Sequence, residues 1–430
     1  MSIRMGRQAE KLSFGNMGVD WQERINYERL RKERLERTLA VARKAQCPSM
    51  ILADAANQRY ATAMHPGAIA AFVPGGAGFS VVFADHPNDS ITFLTEGNLV
   101  RQGQFHCTWL KPENIRPVHN MTTAQPKAAV QEMARKNAEE IYEALREKGL
   151  QNEPVAIDAP IPAMMPYLEK LGIKPVVVYD QMEYTRAIKT VDEIAIMKMV
   201  GVTGDRAWGA LAQHLKPGIT ENELGGKMAE AMQKNGAMES FIVSLRTGPN
   251  TAPNYLSHSP VDRVIEAGDM VVCDLIGPLF NGYRACYYRT FKCGIRPTQK
   301  EKDMYKTIYD WLYAAMDVMK PGATTADVAK VWPTADTWGY KNEYECWTNA
   351  LGHGIGLKQY EIPCIRRSVS LDYPEVLEKG MTIAIETWLG EERVGGVRIE
   401  NVVAITDNGC ENLYMWPDEE ISCPQHQLIW

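Results

Sequence analysis

The feature that most restricts the fold is a weak internal repeat in the second half of the chain. Lys216-Pro-Gly-Ile-Thr220 recurs as Lys320-Pro-Gly-Ala-Thr324, each copy following a long helical stretch and opening another. A glycine stands 30 residues beyond each Pro-Gly glycine (218 to 248, 322 to 352), and both are expected at a turn after a strand. Val264-Ile-Glu-Ala-Gly-Asp-Met-Val-Val-Cys-Asp274 then matches Val376-Leu-Glu-Lys-Gly-Met-Thr-Ile-Ala-Ile-Glu386. In both copies a carboxylate lies six residues after the glycine (268 to 274, 380 to 386). The echoes keep their order while the offset widens from 104 residues (216 to 320) to 112 (264 to 376). Two copies of a helix, helix, strand, hairpin unit predict a pseudo-twofold domain whose halves each aim a carboxylate at a shared centre.

Each carboxylate strand is followed by a turn and a return strand, Cys286 to Phe291 in one copy and Arg398 to Ile405 in the other. A hairpin brings return-strand residues back beside the first pair. The candidate inward set is therefore Asp274, Cys286, Glu386 and Glu400, with His353 of Leu351-Gly-His-Gly-Ile-Gly356, where the flanking glycines let the backbone approach closely. Carboxylates crowded into one buried pocket cannot all stay ionised unless a cation neutralises them or some hold protons. Both solutions serve catalysis.

The first half alternates differently. Ser49 to Ala53, Phe79 to Ala84, Ile91 to Leu94, Pro154 to Ile157 and Pro175 to Val178 read as strands. Asp20 to Ala45, Pro126 to Lys148 and Pro162 to Leu171 read as helices, so an α/β domain is predicted over 1–183, followed by the repeat domain over 184–430. Thr190, with Asp192 and Glu193 in the first turn, predicts the N-cap of a helix reaching about His214.

Composition removes several classes of function. With 53 acidic against 47 basic side chains, and no dense basic run, nucleic acid is an unsuitable partner. The stretch from Gly67 to Phe83 is too short and too interrupted by Pro74, Gly75, Gly76 and Gly78 to span a membrane. Met1 to Lys11 lacks the apolar run of a secretory signal, and the nine cysteines show no paired spacing, so a cytoplasmic chain with reduced thiols is expected.

These residues resemble the creatinase/aminopeptidase, or pita-bread, family, which includes methionine aminopeptidase, proline dipeptidase, creatinase, ectoine hydrolase and the dimethylsulfoniopropionate lyases. The resemblance covers about residues 184–416. It rests on Arg186-Ala-Ile-Lys-Thr-Val-Asp-Glu-Ile194, Asp274…Gly282-Tyr283…Arg289-Thr-Phe291, Gly352-His-Gly-Ile-Gly356, Ile385-Glu-Thr387 and Arg398-Ile-Glu-Asn401. It implies an α+β fold: a pita-bread C-terminal domain, an antiparallel sheet with helices on one side, and a smaller α/β creatinase-like N-terminal domain. It also implies a homodimer.

The resemblance carries a two-metal site of two Asp, one His and two Glu onto this chain, with one substitution. Asp274, His353, Glu386 and Glu400 match, but the second Asp, three residues before Arg289-Thr290, is Cys286. The family's bridging ligand is thus absent. The aminopeptidases' extra His falls in Gly248-Pro-Asn-Thr-Ala-Pro-Asn-Tyr255, with His258 out of register, and two lyase aspartates fall on Val272 and Gln359.

The sequence therefore favours a metal-independent hydrolase of a small, polar, nitrogen-containing substrate such as an amidine, cyclic amide or betaine-like solute. His353 would shuttle protons near neutrality, Asp274 and Glu386 would divide acid and base or nucleophilic roles, and Glu400 would orient them. Arg398 would hold a substrate carboxylate or else neutralise Glu400. Tyr287, Tyr288, Trp347 and Trp388, with Cys286, would line the pocket. No cofactor is expected. The alternatives are a single divalent iron, zinc or manganese ion on Asp274, His353, Glu386 and Glu400, serving a peptidase or a C–S lyase, and a non-catalytic binding protein.

Overall fold

A computed structural model of the chain describes residues 25–64, 78–95, 97–121, 125–238, 241–252, 259–346 and 350–426. The Met1 to Lys11 segment, most of the Gly67 to Phe83 stretch, Asn254, Tyr255, His258 and Trp347 lie outside the described residues.

The first half builds a six-stranded mixed sheet, ordered β4-β3-β2-β1-β5-β6. Its strands are β1 (Ser49–Leu52), β2 (Gly78–Phe83), β3 (Ile91–Leu94), β4 (Ile115–Pro117), β5 (Pro154–Ile157) and β6 (Lys174–Val177). The central strands are apolar runs because both faces are covered. Ile51, Val81 and Val155 pack with Ile141 and Leu145 of the helix Lys127–Arg146. Met50, Leu52 and Val82 pack on the opposite face with Leu39 and Ala42 of the helix Tyr27–Lys44.

The second half shows the repeat as structure. The helices Val191–His214 and Glu221–Lys234 precede β7 (Ile242–Thr247), β8 (Met270–Phe280), β9 (Tyr283–Ala285) and β10 (Tyr288–Lys292). The helices Gln299–Val318 and Thr325–Val331 precede β11 (Ala350–Gly354), β12 (Glu361–Ile365), β13 (Thr382–Glu391), β14 (Gly395–Ile405) and β15 (Cys410–Asn412). All four helices begin with a reciprocal capping box: Thr190 with Glu193, Thr220 with Glu223, Thr298 with Glu301, and Thr324 with Asp327. Each box satisfies two amides that the helix leaves open and stabilises its helix by about 1 kcal/mol.

The two Pro-Gly turns are equivalent in detail. Gly218 and Gly322 hold φ of 95° and 86°, which a side chain would strain. Their amides donate to Ile265 O (2.9 Å) and Leu377 O (3.0 Å), so each copy ties its second helix to the segment leading into its carboxylate strand. One expected equivalence fails: Gly248 opens a turn after β7, but Gly352 lies inside β11, where it faces Ile365 and Ile385 across the sheet.

The sheet of the first copy (β10-β8-β7, with β9 on β8) meets that of the second (β12-β11-β13-β14-β15) along β10 and β14. Thr290 Oγ1 donates to Arg398 O (2.7 Å) and accepts from Arg398 N (2.9 Å) at that seam. The helices cover one side of this curved surface. Among the described residues, no helix is long and apolar enough to cross a membrane.

Candidate functional site

Strand register sets the site. In an antiparallel pair, directly opposed residues share a face. Asp274 on β8 opposes Tyr288 on β10, and Glu386 on β13 opposes Glu400 on β14, so the repeat's two carboxylates enter one centre from opposite halves. Cys286 sits in the connection between β9 and β10. His353 is on β11, next to the tight crossing at Gly354, where an added Cβ would stand 2.1 Å from Ile362 O. All five side chains are buried.

The second carboxylate pair is not equivalent in its surroundings. Asp274 Oδ1 accepts from Tyr287 N (2.8 Å), while burial and the nearby Glu386 charge push its pKa up to about 7. Glu386 Oε2 accepts from Arg398 Nε (2.9 Å) and Nη2, so burial raises its pKa against the opposing pull of Arg398. Arg398 therefore neutralises Glu386, not Glu400, and its guanidinium lies 4.1 Å over the Tyr288 ring.

Glu400 Oε2 accepts from Tyr288 N (3.2 Å), but its Oε1 is buried with no hydrogen-bond partner among the described residues. Burial, then the Glu386 and Asp274 charges, raise its pKa well above the ordinary carboxylate range. Arg289 fastens this strand from behind, reaching Asn401 Oδ1 (2.9 Å) and the carbonyls of Tyr288, Glu400 and Trp416.

His353 departs from the expected shuttle. Its Nδ1 lies 2.9 Å from Gly354 O and so carries the proton, which leaves Nε2 as a bare lone pair. That Nε2 is buried with no partner among the described residues. Burial drives the imidazole's pKa down to about 4, so it is neutral at pH 7, the state of a ligand. Cys286, His353 and Glu400 bring one ligand atom each within 4.8 Å of one another. Buried among Asp274, Glu400 and Glu386, the Cys286 thiol has its pKa raised well above the usual value, first by burial and then by those charges.

The structure groups the candidate ligand atoms differently from the expected set of Asp274, His353, Glu386 and Glu400. The compact donor group is Cys286, His353 and Glu400, with Glu386 engaged by Arg398 and Asp274 held by the Tyr287 amide. The expected aromatic wall also changes. Tyr287 turns into the helical layer, its hydroxyl on Asp205 (2.8 Å) and its ring 4.3 Å from Tyr414. Trp388 is buried, with Nε1 on Thr251 O (3.3 Å). Tyr360, which sequence reasoning missed, faces His353 with ring centroids 4.6 Å apart. Burial and the charges of Cys286, Glu386, Asp274 and Glu400 raise its phenol's pKa. It has no periodic signal; only the β11–β12 hairpin, which opposes Gly354 to Glu361, places it at the mouth.

Residues 195–407 match the family model described as metallopeptidase family M24. An Xaa-Pro dipeptidase of Pyrococcus furiosus is 32% identical over 285 residues, covering 65% of this chain and 77% of that protein. The chain belongs to metallopeptidase family M24. A probable dipeptidase of Mycobacterium tuberculosis is 30% identical over 261 residues, 61% of this chain and 67% of that one. Among solved M24 structures, an Xaa-Pro dipeptidase of Bacillus anthracis aligns with a TM-score of 0.70 at 22% identity, covering 91% of this chain and 99% of that one. The prolidase of Pyrococcus horikoshii gives 0.68 at 25%, with 90% and 100% coverage. The M24 relatives are hydrolytic peptidases, and this chain is a C–N bond hydrolase. They favour a metal-dependent peptidase over the metal-free hydrolase of betaine-like solutes expected from the sequence.

Proposed function

We propose that this chain is a single-metal hydrolase of a peptide-type C–N bond in a small substrate of dipeptide size. The observation that carries the proposal is the convergence of Cys286, His353 and Glu400, two of them presenting buried atoms that make no other hydrogen bond. Orphaned buried polar atoms cost about 1–3 kcal/mol each and call for a partner. A neutral imidazole, a thiol and a carboxylate fit one such partner, a divalent ion with a soft preference, and zinc takes three protein ligands of this kind in catalytic sites. The two-ion site of other M24 members is a poorer fit, because Cys286 replaces the bridging carboxylate and Arg398 holds Glu386.

Cys286, His353 and Glu400 would hold the ion. When bound, it supplies Lewis-acid polarisation of the substrate carbonyl. The remaining groups handle orientation and protons. Asp274 takes a proton from the attacking water, whose oxygen bonds to the carbonyl carbon, and returns it to the amine nitrogen as the C–N bond breaks. Arg398 holds Glu386 fixed beside it. The Tyr360 hydroxyl, at the mouth next to His353, donates to the reacting carbonyl oxygen.

The test is metal analysis of the purified protein combined with hydrolysis of a dipeptide panel. About one equivalent of zinc, and activity lost to a chelator and restored by zinc, are expected. Protein that binds no metal after zinc incubation, or that works unchanged in chelator, would overturn the proposal.

A further inference from the structure

Three arginines meet where the N-terminal domain touches the β8–β9 turn, without a carboxylate of their own. The helix Tyr27–Lys44 carries Arg34 and Arg37, three residues apart on one face, and the helix Ala55–Thr62 packs beside it with Arg59 and Tyr60. Arg34 Nη1 donates to Tyr283 Oη (3.2 Å), Arg59 Nη2 donates to Asn281 Oδ1 (3.1 Å), and Arg37 Nη1 donates to Ile188 O. Arg59 also meets Met238 Sδ at 3.8 Å. These partners are all neutral, and among the described residues none of the three arginines has a carboxylate within ion-pair distance. Glu193, the acid of this network, accepts from Tyr283 Oη (2.6 Å) and from the Thr190 amide (2.9 Å).

The cluster is close-set and drawn away from water. Arg34 is 4% exposed, and its Nε and the Tyr60 hydroxyl are buried with no hydrogen-bond partner among the described residues. The Arg34 guanidinium lies 5.6 Å from the centre of the Tyr60 ring. Arg59 crowds the β8–β9 turn so tightly that a Cβ on Gly282, at φ 77°, would stand 2.3 Å from its Nη1. Burial, and then Arg34, pull the Arg59 pKa down to about 10, so these two guanidiniums feel each other's charge. Burial and then Glu193 push the Tyr60 phenol's pKa up, and Arg37 and Arg34 oppose them. Three guanidiniums against one carboxylate leave a surplus of two positive charges. Such a surplus costs stability unless an anion neutralises it.

We propose that Arg34, Arg37 and Arg59 form a binding site for one small, doubly charged oxyanion of the phosphate or sulfate type. The charge of such an ion equals the surplus, its oxygens match the guanidinium fork, and Arg34 Nε and the Tyr60 hydroxyl are donors left open for it. Arg37 and Arg59 are half-buried, which leaves the cluster open to ions from solution. None of Asp274, Cys286, His353, Glu386 and Glu400 belongs to it. Occupied, the site ties both helices to Tyr283, three residues before Cys286, and stiffens the catalytic centre from outside it.

The experiment follows thermal unfolding of the full chain at pH 8 and constant ionic strength in sodium phosphate, sulfate, acetate or chloride. At about 10 mM, phosphate and sulfate should each raise the wild-type Tm by about 2 °C or more over chloride, the shift of a site near tenfold saturation. Acetate, with one charge, should give less than half of that shift. Calorimetric titration with phosphate should give about one site per chain. R59M should lose the phosphate shift, and R59K should keep part of it, because a lysine holds the charge without the fork. R393M, which alters a side chain that is 90% exposed, should keep the full shift. Chelator-treated protein should also keep it, because no candidate metal ligand belongs to the cluster. If R59M does not fold, R59K and R37M carry the comparison.

A phosphate shift that survives intact in R59M, or that disappears after chelation, would place the ion elsewhere and overturn the site. So would a wild-type protein that chloride and acetate stabilise as much as phosphate does, or that phosphate does not stabilise at all.

Discussion

Replacing Glu361 by glutamine probes the junction that holds the His353 hairpin against the N-terminal domain. Glu361 is buried between Lys189 Nζ (2.7 Å) and Arg186 Nε (3.2 Å), and it accepts from Lys358 N (3.1 Å). Burial alone would raise its pKa, but Lys189 and Arg186 together pull it below the ordinary value. Arg186 also meets Glu183 (2.7 Å) and Asn57 of the first domain, so it keeps a carboxylate when Glu361 loses its charge. Lys189 has no second carboxylate within ion-pair distance among the described residues. Removing one partner of a buried pair costs about 3–5 kcal/mol, and with one cation stranded instead of two the lower figure, about 3 kcal/mol, applies. Urea unfolding read by tryptophan fluorescence should show that loss. The double variant K189M/E361M should recover most of it, because replacing both members by apolar groups removes the stranded charge. A loss below about 1 kcal/mol for E361Q, or a double variant no better than the single, would refute the reasoning.

Three further perturbations follow. C286D exchanges a soft donor for a hard one, so zinc preference over manganese in a competition dialysis should fall at least tenfold while occupancy stays near one ion, since Arg398 still holds Glu386. Y360F should lower turnover number about 10- to 100-fold with KM within about twofold, measured on the best dipeptide of the panel. D89N should cost about 1 kcal/mol at pH 7, because Asp89 pairs with Lys111 and Lys148 at a partly exposed site. The Asp89 pKa is lowered, first by Lys111, from 3.8 to about 2, so the stability it contributes is present above 3.8 and should disappear as pH falls toward 2 in paired denaturation curves.

The repeat was legible because its signals are local. Lysine-Pro-Gly turns, threonine caps with an acid three residues on, and a glycine six residues before a carboxylate each dictate backbone within a few residues. The positions of Asp274 and Glu386 on paired strands followed from them. Roles were less legible, since they depend on partners far away in sequence. Nothing near His353 announces that Gly354 O takes its Nδ1 proton and that burial strips its basicity. Arg398 was readable as an arginine sharing a strand with Glu400, but whether it pairs with Glu400 or with Glu386 is decided by the β13–β14 register and by Tyr288 beneath it. Tyr287 and Tyr288 are adjacent in sequence, yet the strand sends one ring to the helices and the other to the site.

That divergence explains how a pseudo-symmetric scaffold arrives at an asymmetric centre. The two halves deliver equivalent carboxylates, but their return strands do not deliver equivalent neighbours. The second half supplies Arg398, which fills one side of the pocket with a fixed positive charge against Glu386. The first supplies Cys286 where a bridging carboxylate would be needed to bind ions on both sides. With a carboxylate there, two divalent ions could balance the cluster; with a thiol there, the hard-ligand half loses its bridge, and Asp274 turns to the Tyr287 amide. Arg398 is the fixed cation beside this cluster, and burial raises the pKa of Asp274, Glu386 and Glu400 alike, so the centre balances its charge with held protons as well as with cations.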